Sequence, residues 1–142
     1  MRPTNFERFS GVLAIVVGIC GFLYAIVFVI LKNELLFSLL LLLIGVLSTA
    51  PLIAVFYRLR QTDAPFVTWA IVLALVSVVG SAAHGGYDLA NAINSPAVTA
   101  PGVADLPSQI DPRGLLTFVF AGVAIFIVAW LIGRGKQFPV GI

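Results

Sequence analysis

Ser77, Ser81, His84, Asp88 and Asn91 follow one another at steps of 4, 3, 4 and 3 residues, so a helix through them carries all five on one face. Elsewhere the long apolar runs of this chain hold no comparable concentration of polar side chains. His84 is the single histidine, and its neighbours Gly80, Ser81, Ala82, Ala83, Gly85 and Gly86 are all small, leaving room for something flat or for another backbone. Asp88, one turn on, can hydrogen-bond one ring nitrogen and fix which nitrogen faces outward. Three chemistries suit such a pair. His84 could be an axial ligand to a tetrapyrrole metal, as in (bacterio)chlorophyll or haem, with Gly80 and Ser81 making room for the macrocycle. His84 and Asp88 could hold the polar head of a quinone or lipid, or pass protons in a carrier. The plainer use of the same residues is tight packing, with His84 and Asp88 meeting water and headgroups at a helix end.

Several enzyme classes are closed by what these residues lack. A single histidine without nearby cysteine or glutamate cannot supply the three or four ligands of a catalytic zinc. Ser77 or Ser81 with His84 and Asp88 are the residue types of a hydrolytic triad, but on one helix they point in parallel and cannot converge on a carbonyl. No Gly-x-Ser-x-Gly, Walker or dinucleotide glycine pattern occurs. The apolar runs hold no lysine for a retinal Schiff base. A non-enzymatic protein is expected.

The elements that position the stripe follow from composition. The 142 residues are 61% hydrophobic and 10% charged, against about a quarter charged in a soluble domain. A water-soluble fold cannot hide that much apolar surface. The eight basic and six acidic residues leave a net charge of +2 with no basic run, so nucleic acid is not an expected partner. The one cysteine, Cys20, lies in an apolar run and allows neither an internal disulfide nor a cysteine metal site.

Charges divide the chain into four uncharged stretches, each long enough for the ~20 helical residues that cross a hydrocarbon layer of roughly 30 Å. They are Phe9–Leu31, Leu35–Tyr57, about 66–87 after Pro65, and Leu115–Gly133 after Arg113, in a helix of about 113–133. Continuous apolarity without two-residue alternation favours helices over barrel strands. The fold expected is therefore all-α, a polytopic integral membrane protein of four transmembrane helices. The first stretch exceeds the roughly 7 to 15 residues of a signal-peptide core and ends in Lys32, Asn33 and Glu34 without a cleavage site. Thr4 with Glu7 predicts a capping box at its start. Lys32–Glu34 is short enough to force an antiparallel hairpin, and Arg58–Pro65 makes a second tight connection. Pro51 predicts a bend in the second helix. Small residues mark expected helix contacts: Gly11, Gly18 and Gly21 in the first helix, Gly45, Ser48 and Ala50 in the second, and Ala121, Gly122 and Ala124 in the fourth. The one long connection, about 94–112, carries four prolines, and Asp111 before Pro112 predicts the start of the last helix.

With the N-terminus inside, Arg2, Arg8, Arg58, Arg60, Arg134 and Lys136 fall on the inner side and Lys32 and Arg113 on the outer. Six against two places both termini in the cytoplasm. Tyr57, Trp69 and Trp130 then sit at the inner interface and Tyr87 at the outer one, where amphipathic rings are favoured.

The start Glu7-Arg8-Phe9-Ser10-Gly11-Val12-Leu13 and the helix exit Tyr57-Arg58-Leu59-Arg60 resemble those of a bacterial family of multi-pass membrane proteins defined only as a domain of unknown function. Members of that family typically have more than four helices, and Gly135-Lys136-Gln137-Phe138-Pro139-Val140-Gly141-Ile142 is similar to a link into a further helix. The resemblance thus implies a chain shortened at its C-terminus, and it implies no activity or functional residues. The expectation from the residues is an accessory or scaffold subunit of a larger complex in a bacterial inner membrane, of electron-transfer or photosynthetic type. Its partners would be the lipid bilayer and other membrane subunits. The alternative is a protein that binds or transports a small ligand on the His84/Asp88 face.

Overall fold

A computed structural model describes residues 4–94 and 112–135. These residues form helices and no strands, and four of the helices are long and apolar enough to cross a membrane: α1 (Asn5–Leu31), α2 (Glu34–Leu59), α3 (Ala64–Ile93) and α4 (Leu115–Arg134). The long connection expected at about 94–112 and its Asp111 cap fall almost wholly outside the described residues, as does the tail from Lys136.

Each start has a local cause. The Thr4 hydroxyl accepts from the Glu7 amide at 3.2 Å, and the Glu7 carboxylate accepts from the Thr4 amide at 2.7 Å. This is the capping box read from the sequence, with two otherwise unpaired donors satisfied reciprocally. α1 ends in one π-helical turn, Val27–Leu31, and at Lys32 the chain turns left-handed, with φ 50°. Asn33 then caps α2 by accepting from the Leu36 amide at 3.0 Å, so only two residues separate the first two helices. Asp63 caps α3 through the Phe66 amide at 3.4 Å, and Pro65 stands in its first turn, where a missing N–H costs nothing.

α2 is interrupted at Ser48, three residues before Pro51. Proline has no N–H to offer the Leu47 carbonyl and its ring crowds that carbonyl. Around the interruption side chains take up backbone acceptors: Ser48 donates to Ile44 at 2.6 Å, Thr49 to Val46 at 2.8 Å, and Ser10 of α1 reaches across to the Ala50 carbonyl at 3.2 Å.

α3 is the central helix. It carries the largest share of buried residues, packs on both α2 and α4, and contributes Val67 and Ala70 to a core completed by Leu59 of α2 and Ile127 and Leu131 of α4. α1 lies on α2 and buries only Ser10 and Val27. Glycine decides where backbones meet. A Cβ on Gly85 would stand 2.4 Å from the Leu42 nitrogen and 2.7 Å from the Ser38 oxygen, and one on Gly45 would stand 2.6 Å from the Ala82 nitrogen. α2 and α3 therefore cross in backbone contact at two reciprocal glycines, the close approach that helices in lipid use in place of the hydrophobic effect. Ser38, fully buried at this crossing, is the described side chain whose buried hydroxyl has no hydrogen-bond partner among the described residues.

The expectation that small residues mark contacts is corrected at four of the nine positions. Gly45 and buried Ala124 pack as expected. Around Gly11, Gly18, Gly21 and Gly122, however, a Cβ would meet nothing among the described residues within 4 Å. Those glycines face away from the other described helices.

Candidate functional site

α3 continues through Gly85 and Gly86 to Ile93, further than the end near Tyr87 expected from the sequence. Helices tolerate glycine poorly in isolation, at about 1 kcal/mol each relative to alanine. Here Gly85 is where α2 comes closest, so tertiary packing offsets the intrinsic cost. The continuation keeps Asp88 and Asn91 on the helix and preserves the stripe. Ser77, Ser81 and His84 are buried, the histidine to 9% exposure, Asp88 is partly buried, and Asn91 is exposed.

The stripe faces the first turns of α4. His84 Nε2 lies 3.2 Å from one oxygen of Asp88, and Arg113 donates to the other oxygen at 2.6 Å. Arg113 also lies over the Tyr87 ring, 4.7 Å from its centre, a cation–π contact. His84 Nδ1 lies 3.5 Å from the Thr117 hydroxyl, which donates to the Arg113 carbonyl at 2.8 Å. Ser77 donates to the Thr117 carbonyl at 2.6 Å. The Arg113 carbonyl lies just before α4 and the Thr117 carbonyl in its π-helical first turn, Leu115–Val119.

Of the residues singled out, His84 and Asp88 are joined as expected. Arg113 and Thr117 complete the cluster and do not belong to the stripe. The only sequence signal for Arg113 is its position as the one cation across the long connection from Asp88, and nothing in the spacing marks Thr117.

Two of the glycines beside His84 lie against neighbouring helices. A Cβ on Gly80 would stand 3.0 Å from Leu116 of α4, and Gly85 is filled by Ser38, Leu41 and Leu42 of α2. Neighbouring helices thus come close at these two glycines, and both ring nitrogens of His84 face protein groups. Among the described residues no group of three or more His, Cys, Asp or Glu side chains could hold a metal ion, and neither His84 nor Arg113 is without partners. The cluster can therefore bind one helix to another. Comparison with known protein families, with curated proteins and with solved structures finds no match.

Proposed function

We propose that this chain is a four-span protein of a bacterial inner membrane that works through helix contacts, as a non-enzymatic accessory subunit of a larger membrane complex of the electron-transfer or photosynthetic type. The observation that carries this reading is that, among the described residues, His84, Asp88, Arg113, Thr117 and Ser77 engage one another, while helices come close at Gly80 and Gly85 beside them. The polar chemistry is directed inward. What faces outward is apolar helix, above all the nearly unburied α1 and the side of α4 that carries Phe126 at 76% exposure.

The helices run as two antiparallel hairpins with both termini cytoplasmic. Contacts between helix ends support this arrangement. Glu7 near the start of α1 pairs with Arg58 near the end of α2 at 2.8 Å. Phe66 at the start of α3 meets Trp130 near the end of α4, centroids 5.1 Å apart, while Asp88 late in α3 meets Arg113 just before α4. These pairs gather Arg8, Arg58, Arg60 and Arg134 at one end and leave Lys32 and Arg113 at the other, the asymmetry that retains basic flanks in the cytoplasm. At the basic end Arg60 lies over Tyr57 and Arg134 over Trp130, amphipathic anchors of the kind found at a headgroup boundary.

Extraction from native membranes in mild detergent, followed by mass spectrometry and a visible spectrum, tests the role. A subunit co-purifies stoichiometrically with larger membrane proteins. Recovery of the chain alone, stable and bound to a quinone, tetrapyrrole or other small solute, would replace this reading with ligand binding or transport on the His84/Asp88 face.

A further inference from the structure

Both tryptophans of the chain, Trp69 and Trp130, fall in one patch at the basic end of the bundle. Val67 of α3 and Leu131 of α4 share one buried cluster, and their chain neighbours Phe66 and Trp130 emerge along the outer edge of that contact. The two rings meet with centroids 5.1 Å apart, and Trp69, one turn further along α3, lies 6.3 Å from Phe66. Arg134, one turn beyond Trp130, lays its guanidinium 4.6 Å from the centre of that ring. The four side chains thus form an unbroken row across α3 and α4. All four are exposed, Trp69 to 51%.

The charge in this row lacks a counter-ion. Arg58 has Glu7 and Arg113 has Asp88, whereas Arg134 makes no ion pair among the described residues. Asp63, the carboxylate nearest in the chain to Phe66, is turned to the start of α3, where it accepts from the Phe66 amide at 3.4 Å. A guanidinium stacked on a ring keeps N–H donors at its edge, and each indole adds one more. What complements such a row is amphipathic: an anion at the arginine end and hydrocarbon along the rings. A zwitterionic lipid brings its own cation to the phosphate, but an anionic one brings net negative charge.

We infer that this row binds one anionic phospholipid, its phosphate on Arg134 and its acyl chains along Phe66, Trp69 and Trp130. The inference rests on the reading that this end of the bundle lies at a headgroup boundary, the depth at which aromatic rings are favoured and basic side chains attract anionic lipid. Recognition is local. Arg60 lies over Tyr57 and not over this row, and Arg8 is exposed near the start of α1, a helix packed on α2.

Because both indoles lie in the row, tryptophan fluorescence of the full chain reports on this site alone. Bromine on an acyl chain quenches an indole that it touches. Phosphatidylcholine vesicles doped with brominated phosphatidylglycerol, compared with vesicles doped with brominated phosphatidylcholine at the same mole fraction, therefore read which lipid lies beside the rings. The expected result is a preference for phosphatidylglycerol of about fivefold, what one basic residue near an anionic surface contributes. Arg134→Gln should bring the preference close to parity, and Arg8→Gln, which removes the same charge at the same end, should leave it in place. Equal quenching by the two lipids in the unsubstituted chain, or equal losses in the two variants, would overturn the lipid site and leave the membrane-spanning reading intact. Quenching by neither lipid would put the rings outside the hydrocarbon and overturn both.

Discussion

Asp88 is the residue on which the polar cluster turns, because its two oxygens hold groups from two helices. Asp88→Ala would remove the carboxylate that engages both Arg113 and His84. Breaking a buried pair costs about 3–5 kcal/mol, but Asp88 and Arg113 are both partly exposed, so the expected loss is about 2 kcal/mol. Reversible unfolding in mixed micelles measures it. Asn91→Ala, on the same stripe but exposed, should change stability by less than about 0.5 kcal/mol. Equal losses in the two variants would mean that the pairing of Asp88 contributes nothing. At this scale the sequence was half legible. His84 and Asp88 stand one turn apart, a relation that helical periodicity makes visible. Arg113 and Thr117 join them from across a connection rich in proline, and no periodicity relates residues on two helices.

At the scale of elements, two kinds of glycine make opposite demands. Gly85 and Gly45 lie where a methyl group would enter neighbouring backbone, whereas Gly11 and Gly18 lie in open space. Gly85→Ala must push α2 and α3 apart, at an expected cost of about 1–3 kcal/mol. Gly18→Ala should be neutral or stabilising by up to about 1 kcal/mol in the isolated chain, since alanine is the better helix former. The same unfolding assay separates them, and a Gly85→Ala chain as stable as the parent would mean that the crossing is looser than described. If Gly18 instead meets a partner subunit, Gly18→Ala should weaken co-purification without weakening the chain. The four apolar helices were legible because charges bound them, and so was the disturbance at Pro51. The passage of α3 through Gly85 and Gly86 was assumed in reading the stripe although intrinsic propensity opposes it; the facing surface of α2 favours it, and the continuation past Tyr87 to Ile93 exceeds the expected span. The π-helical turns at Val27–Leu31 and Leu115–Val119 left no trace in the periodicity, because a one-residue offset of the ladder changes no residue type.

For the whole molecule, the dominant fact is the distribution of exposure. Of the four helices α3 is most buried and α1 least, and large apolar side chains such as Ile15, Phe22, Ile30 and Phe126 face outward. In water such a surface would aggregate; in lipid it is solvated, and it is equally available to another helix. Detergent should therefore be required to keep the chain dispersed, and in bilayers the helices should run across the membrane.

The direct test is cysteine accessibility in intact cells. With Cys20→Ser as background, Gln61→Cys in the connection between α2 and α3 and Asn94→Cys after α3 provide one reporter at each end of the bundle. A membrane-impermeant thiol reagent should label position 94 in intact cells and position 61 only after the membrane is opened. Labelling of both positions in intact cells, or of position 61 alone, would contradict a chain that crosses the bilayer four times with both ends inside.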